Sequence, residues 1–196
     1  MVKKSRNVLV LITLLLLGYG LFTSNFHIIY SSALTLLTLI AVEVFFRFCR
    51  VKVPPILPIW AYIFVFLSMT LGKTLNFYGI PYWDKFLHIT SGVILAFVGL
   101  LFLWSINAKG KELHPKVVIW FVIIFSIACA GVWEMYEFTT DALFGLTAQN
   151  GSLNDTMWDI ICGTIGGSIV AFFLYLYYYK DKKFKVFKDT FTYMSK

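Results

Sequence analysis

The chain has 196 residues, of which 59% are hydrophobic and only 14% charged, and its mean hydropathy is +0.78. An average soluble domain has about 25% charged residues, so this composition excludes a water-soluble globule and indicates an integral membrane protein. The net charge of +7 does not indicate nucleic-acid binding, because the basic residues lie in the short segments that flank apolar stretches.

Six stretches of the sequence are long enough to cross a membrane, for which a helix needs about 20 apolar residues. We expect them at 7–22, 27–48, 55–71, 84–106, 116–140 and 156–179. The predicted fold class is therefore all-α, a polytopic membrane protein with one six-helix transmembrane domain in residues 1–179. No small-residue cleavage motif follows the first stretch, which favours an uncleaved helix over a signal peptide.

The distribution of positive charge predicts the orientation of these helices. With a cytoplasmic N-terminus, all of the 17 Lys and Arg residues except Lys73 and Lys85 fall on the cytoplasmic side. Cytoplasmic loops of membrane proteins are enriched in Lys and Arg, so we expect both termini in the cytoplasm. The helix ends that this orientation directs away from the cytoplasm are called the outer ends below.

A basic segment, residues 180–196, follows the last apolar stretch. It carries Phe184, Phe187 and Phe191 among lysines, at offsets of three and seven residues from the first. This spacing predicts either an amphipathic helix on the anionic inner leaflet or a frayed, solvated tail.

Ionisable residues gather at three of the predicted outer ends. The fourth helix begins with Asp84 and His88 one turn apart, and the sixth begins with Asp155 and Asp159 at the same spacing. The fifth helix ends with three acids along one stripe. These acids are Glu134, Glu137 and Asp141.

The deeper member of each group lies at a similar level. At a rise of 1.5 Å per residue, His88, Glu134 and Asp159 are about 6 to 10 Å inward of the outermost acid on their helices. An ionisable group costs about 2.5 to 3.5 kcal/mol at the centre of a spanning helix, so we expect these three to face one another in an outward-facing pocket. Asp84 and Asp155 could instead serve only as helix caps, and Asp141 could be solvated.

Two kinds of chemistry fit this group of residues. One histidine with several carboxylate oxygens suits a divalent metal cation such as Mg²⁺, Mn²⁺, Ca²⁺ or Zn²⁺. Alternatively, the crowded carboxylates share protons and act with the histidine as general acid and base. The predicted catalytic residues are His88, Glu134 and Asp159. The candidate metal ligands are Asp84, His88, Glu134, Glu137, Asp141, Asp155 and Asp159.

Two further patterns predict packing rather than chemistry. Gly163, Gly166 and Gly167, together with Gly92, should allow the fourth and sixth helices to approach closely beneath the acids. Glu43 precedes Arg47 by one turn, which predicts an ion pair near the inner interface.

The second half of the chain resembles the YjdF-type family of bacterial inner-membrane proteins and, more remotely, the VanZ-like group associated with glycopeptide resistance. The resemblance covers residues 83–167. It rests on three blocks, 83–88 with Gly92, 134–137, and 155–159 with Gly166. It implies a multi-pass protein of the bacterial plasma membrane with a polar helical core, and it implies no particular reaction.

Three functions are compatible with the sequence. The first is a cation-dependent enzyme whose outward-facing pocket acts on lipid head groups or lipid-linked envelope precursors. The second is a proton- or cation-coupled transporter, since intramembrane acids often mark ion pathways. The third is a non-catalytic protein that binds a cation, a lipid or a partner. Membrane lipids are the expected partners in each case, and nucleic acid is not.

Overall fold

A computed structural model of the chain describes residues 2–49, 52–107, 113–149 and 151–194. Within these ranges the structure is all-α and has no strand. Its helices are α1 (Val2–Phe22), α2 (Phe26–Arg47), α3 (Ile56–Val65), α4 (Trp83–Ile106), α5 (Pro115–Phe144), α6 (Leu153–Tyr179) and α7 (Lys185–Met194). Helix α3 continues as a π-helical segment, Phe66–Thr74, and a 3₁₀ turn follows at Phe77–Gly79.

Six helical stretches are long and apolar enough to cross a membrane, and they match the predicted spans. They are α1, α2, α3 with its π-helical segment, α4, α5 and α6, and they range from 19 to 30 residues. The protein is therefore a multi-pass membrane protein. Some of the charges behind the predicted orientation, on Arg50, Lys109, Lys111 and Lys196, lie outside the described residues.

The chain divides into two compact units between Trp83 and Asp84, at the start of α4. In the first unit, Leu39 of α2 packs with Tyr62 and Val65 of α3 in a buried cluster. The predicted pair of Glu43 and Arg47 is confirmed, with Arg47 Nη2 2.9 Å from Glu43 Oε1.

The same glutamate joins two more helices of the first unit. Arg6 Nη1 of α1 lies 3.2 Å from Glu43 Oε1, and the Tyr62 hydroxyl of α3 donates a hydrogen bond to Glu43 Oε2. The Tyr62 side chain is buried. A single carboxylate therefore ties α1, α2 and α3 together.

In the second unit, small residues bring α4, α5 and α6 into close contact. Gly92 of α4 meets the carbonyl group of Gly163 on α6, and a Cβ atom at Gly163 would lie 2.9 Å from Ala130 Cβ on α5. One turn further inward, a Cβ atom at Gly167 would lie 2.5 Å from Ser126 Cβ. The predicted close approach of α4 and α6 is thus confirmed. We call this contact region the glycine layer; it consists of Gly92, Ser126, Ala130, Gly163 and Gly167.

Helix α7 belongs to the second unit and packs its aromatic side on α4 and α6. Phe187 stacks on Phe97 of α4 with ring centroids 5.6 Å apart, and Phe191 stacks on Trp104 at 5.1 Å. Both phenylalanines also contact Tyr177 of α6. The basic tail is therefore helical over Lys185–Met194, and its aromatic rings contact protein.

Candidate ion site at the outer ends of α4, α5 and α6

The register of the glycine layer determines which residues meet one turn further out. On α5 and α6, Ala130 faces Gly163, so the residues four positions outward on each helix, Glu134 and Asp159, come to lie opposite each other. On α4, His88 is one turn outward of Gly92. Its Nε2 atom lies 3.5 Å from Asp159 Oδ1. The structure thus brings His88, Glu134 and Asp159 to one level above the glycine layer.

Lys85 lies at the centre of three carboxylates. Its Nζ atom donates hydrogen bonds to Asp155 Oδ1 at 2.6 Å, to Asp159 Oδ1 at 2.7 Å and to Asp84 Oδ2 at 3.0 Å. These contacts join the first turns of α4 and α6. The ammonium group is therefore a built-in counter-ion for the acidic group.

His88 lies between two of the same carboxylates. Its Nε2 atom is 3.6 Å from Asp84 Oδ1 and 3.5 Å from Asp159 Oδ1. One ligand atom from each of Asp84, His88 and Asp159 falls within 4.8 Å of the other two. Two carboxylate oxygens and one imidazole nitrogen in this arrangement could hold a metal ion, and we call these three residues the ligand triad.

The exposure of these side chains decreases from the mouth of the site inward. The Asp84 side chain is 35% exposed, that of His88 13% and that of Asp159 only 3%. The glycine layer lies directly beneath them. Asp84 is therefore the most exposed member of the ligand triad and Asp159 the most enclosed.

Glu134 is a buried acid without a hydrogen-bond partner among the described residues. It is 4% exposed, and neither carboxylate oxygen has a donor in full hydrogen-bonding geometry, although the Gln149 amide and the Thr156 hydroxyl lie near it. The carboxylate is within electrostatic range of the His88 ring. A small rotation of the Gln149 amide or the Thr156 hydroxyl would satisfy this acceptor, as would a bound ligand or proton.

A glutamine from the loop after α5 lies over Glu134. Gln149 Nε2 is 3.4 Å from the Glu134 backbone oxygen and 2.9 Å from Thr156 Oγ1 on α6. Asp141 fixes this loop, because its two oxygens accept the backbone N–H groups of Ala148 at 2.9 Å and Gln149 at 3.0 Å. Asp141 thus shapes the mouth of the site.

The remaining predicted ligands lie in other contacts. Glu137 Oε1 accepts a hydrogen bond from Trp133 Nε1 at 2.9 Å, one turn away on α5. Asp155 is linked to the ligand triad by Lys85, whose ammonium group donates to Asp155 Oδ1 and to Asp159 Oδ1. Of the seven candidate ligands, the structure brings Asp84, His88 and Asp159 together as the ligand triad and leaves Glu134, Glu137, Asp141 and Asp155 outside it.

Helix capping does not account for the acids in the first turns. The N-cap of α6 is Ser152, whose hydroxyl accepts the Asp155 backbone N–H at 3.4 Å. Asp155 is therefore inside the helix, and Asp84 likewise lies inside the first turn of α4. Both carboxylates complement the helix dipole, and both also accept hydrogen bonds from the Lys85 ammonium group.

Sequence reasoning missed the role of Lys85. The charge distribution placed Lys85 outside the cytoplasmic side, and no contact with the acids was predicted for it. In the structure, three carboxylates share the single ammonium group. The available signal was that Lys85 is one of two basic residues on the outer side and follows Asp84 directly.

Comparison with known proteins identifies the family. Residues 5–180 match a family described as "Predicted membrane protein (DUF2238)". An uncharacterised protein of Thermotoga maritima is 30% identical over 114 residues, which cover 57% of this chain and 57% of that protein. The chain thus spans little more than half the length of that relative. No solved structure matches the chain. Because the family match extends over most of the sequence, the chain belongs to the DUF2238 family of predicted membrane proteins.

Proposed function

We propose that this protein binds a divalent cation through Asp84, His88 and Asp159, and that the bound ion holds the phosphate of a lipid head group or lipid-linked envelope precursor for an enzymatic step. The observation that carries the proposal is the ligand triad, whose three ligand atoms lie within 4.8 Å of one another. Oxygen ligands with one imidazole suit Mg²⁺, Mn²⁺, Ca²⁺ or Zn²⁺.

The charge of the site supports the need for a cation. Asp84, Asp155 and Asp159 contribute three negative charges against the single charge of Lys85, and Glu134 and Glu137 of α5 are within electrostatic range of Asp84 and His88. A bare phosphate would be repelled by this group. A bound divalent ion would bridge it to a phosphate and polarise the phosphoryl oxygen.

Glu134 has the position expected of a general base in such a reaction. By the helix register it faces Asp159, and it is buried, with the Gln149 amide and the Thr156 hydroxyl close to its carboxylate. His88 and Asp159 would hold the ion in this scheme, while Glu134 would accept a proton from an attacking water or hydroxyl group.

Transport receives less support from the same geometry. The glycine layer joins α4, α5 and α6 one turn below the ligand triad, where Gly92 meets Gly163. A path for ions between these three helices would require them to separate. We therefore place transport behind the enzyme hypothesis.

A non-catalytic role has one observation in its favour, which is the ammonium group of Lys85 among the carboxylates. In this alternative the lysine is a permanent counter-ion and the pocket binds a lipid or partner without turnover. Binding and turnover must therefore be measured separately.

Purified protein in detergent tests the ion site directly. Titration with Mn²⁺, followed by electron paramagnetic resonance, should show one saturable site. Asp159→Asn should weaken binding at least tenfold. Asp189→Asn on α7, where Asp189 is exposed, makes the same chemical change elsewhere and should leave binding unchanged. Equal affinity in the wild type and Asp159→Asn would refute the ligand assignment.

Turnover is tested in proteoliposomes that contain phosphatidylglycerol and a polyprenyl phosphate, with products identified by mass spectrometry. An enzyme should consume one of these lipids in the presence of Mn²⁺ and stop when a chelator is added. Glu134→Gln should abolish turnover and keep the Mn²⁺ site. Binding of Mn²⁺ with no product in any mixture would favour the non-catalytic role.

A further inference from the structure

One carboxylate oxygen faces both the Lys85 ammonium and the His88 imidazole at the ligand triad. Asp159 Oδ1 lies 2.7 Å from Lys85 Nζ and also 3.5 Å from His88 Nε2. Asp84 is shared in the same way, with Oδ2 facing Lys85 at 3.0 Å and Oδ1 facing His88 at 3.6 Å. The ammonium group therefore occupies the side of the triad that a metal ion would need.

An ion at the triad and the ammonium at its present position are not compatible. Divalent cations bind carboxylate oxygens at about 2.0 to 2.6 Å. An ion bound to Asp159 Oδ1 and Asp84 would stand within a few ångströms of Lys85 Nζ, and the two positive charges would repel each other in a poorly solvated site. Either the ion does not bind or the ammonium group moves away.

The lysine is the group that can move. Its side chain is 22% exposed, whereas that of Asp159 is 3% exposed, so the ammonium lies on the open side of the buried carboxylate. Lysine has a flexible four-carbon stem and a strongly hydrated head. It can leave the triad toward the outer end without any movement of the helices.

We propose that a divalent cation displaces the Lys85 ammonium from Asp159 and Asp84, and that the released ammonium then binds the phosphate of an anionic ligand at the mouth of the site. This inference rests on the proposed function, because it requires the ion site. The cation thus regulates the pocket: without it Lys85 is neutralised by three carboxylates, and with it the pocket presents a free positive charge.

The ligand class follows from the charges that remain at the outer ends. Between Asp84 and Lys180 the only Lys or Arg residues are Lys85, Lys109, Lys111 and Lys116, and the last three belong to the predicted cytoplasmic side. With His88 neutral as a metal ligand, Lys85 is the one cationic side chain that the second unit can offer at the outer ends of its helices. An ion and one ammonium together suit a phosphate group, carried either by a lipid or free in solution.

The first test compares Mn²⁺ affinity in two matched lysine variants. Lys85→Met removes the competing ammonium and keeps the apolar stem, so it should bind Mn²⁺ at least tenfold more tightly than the wild type. Lys73→Met, at the end of the π-helical segment where Lys73 is exposed, should bind like the wild type. Size-exclusion profiles and melting temperatures establish that both variants are folded.

The second test needs no variant. Wild-type protein is treated with a membrane-impermeant acetylating reagent, with and without Mn²⁺, and acetylation of each lysine is measured by mass spectrometry. Lys85 should be labelled at least fivefold faster with Mn²⁺, while Lys73 should be labelled equally in both. If Lys85→Met does not fold, this measurement still decides the proposal.

The third test identifies the anion. With Mn²⁺ present, dihexanoyl phosphatidic acid or inorganic phosphate is added before acetylation. Protection of Lys85 by the lipid alone indicates a lipid head group, and protection by both indicates a free phosphate group. Protection by neither would overturn the anion step.

The outcomes separate this proposal from the proposed function. Mn²⁺ bound by the wild type, with unchanged Lys85 labelling and no gain of affinity in Lys85→Met, would refute displacement and leave the ion site intact. Mn²⁺ bound by Lys85→Met only would mean that Lys85 is a permanent counter-ion, which also refutes displacement. Absence of Mn²⁺ binding in both proteins would overturn the ion site and this inference together.

Discussion

Gly92 on α4 and Gly163 on α6 are in backbone contact. They lie one turn inward of His88 and Asp159, whose Nε2 and Oδ1 atoms are 3.5 Å apart. A Cβ atom at Gly92 would collide with the Gly163 carbonyl group. Because His88 and Asp159 are each four residues outward of these glycines, the helix separation at the glycine layer sets the distance between the ligands. A change in the packing of α4 against α6 should therefore change the geometry of the ligand triad one turn away.

Gly92→Ala should therefore destabilise the fold and weaken the ion site. The added methyl group must push α4 from α6, and overpacking of this kind costs about 1–3 kcal/mol. Gly131→Ala is the control, because a Cβ atom at Gly131 on α5 meets nothing within 4 Å. Thermal unfolding in detergent should show a lower melting temperature for Gly92→Ala alone, together with weaker Mn²⁺ binding. Equal melting of both variants would contradict the packing argument.

Glu134→Gln should stabilise the protein when a chelator is present. The substitution replaces a buried carboxylate by a neutral amide of the same size, and a neutral polar group is less costly to bury than a charged one. Glu137→Gln is the control, since Glu137 Oε1 already accepts a hydrogen bond from Trp133 at 2.9 Å. Thermal unfolding should rank Glu134→Gln above the wild type. A lower melting temperature would show that Glu134 is satisfied in the native protein.

The spans could be predicted from the sequence because length and apolarity alone determine them. Helix ends were harder to place. Helix α5 was expected to end at Thr140 but continues to Phe144, where Gly145 terminates it with a φ of 64°. The π-helical segment Phe66–Thr74 could not be predicted, since hydropathy does not distinguish it from an α-helix and its Thr74 hydroxyl bonds to Ser31 on α2, 43 residues away.

The inner level of the site could also be predicted, because depth along a helix follows from residue number. The sequence predicted one level for His88, Glu134 and Asp159, and in the structure each lies four residues outward of a residue of the glycine layer. Which side chains touch could not be predicted, because that depends on the rotation of each helix. Lys85 reaches Asp155 and Asp159, 70 and 74 residues away, and no local pattern contains that contact.

Removal of divalent cations should lower the thermal stability of the wild-type protein. An ion that binds only the folded state stabilises it by about 2.7 kcal/mol at 100 times its dissociation constant. A chelator should lower the melting temperature, and excess Mn²⁺ should restore it. The double variant Glu134→Gln with Asp159→Asn should fold and lose this response. If the wild type melts identically in chelator and in Mn²⁺, the acids hold shared protons and the cation-dependent enzyme should be abandoned.

Tyr62→Phe should destabilise the first unit. The Tyr62 hydroxyl donates to Glu43, and hydrogen bonds to charged groups contribute about 1.5–3 kcal/mol. Tyr19→Phe, at a residue that is 57% exposed, removes a hydroxyl of the same kind and should have little effect. Chemical denaturation in mixed micelles should show a lower midpoint for Tyr62→Phe only. Matching midpoints would mean that the carboxylate is satisfied by its arginines alone.

The direction in which the site opens depends on the orientation of the helices, which rests on the concentration of positive charge on one side. Single cysteines can test it after Cys49, Cys129 and Cys162 are replaced by serine. Leu146→Cys lies just beyond the outer end of α5, and Lys182→Cys lies between α6 and α7; both positions are exposed. A membrane-impermeant maleimide applied to whole cells should label Leu146→Cys at once and Lys182→Cys only after permeabilisation. The reverse pattern would place the ligand triad on the cytoplasmic side, where phosphate-bearing substrates would be those of the inner leaflet.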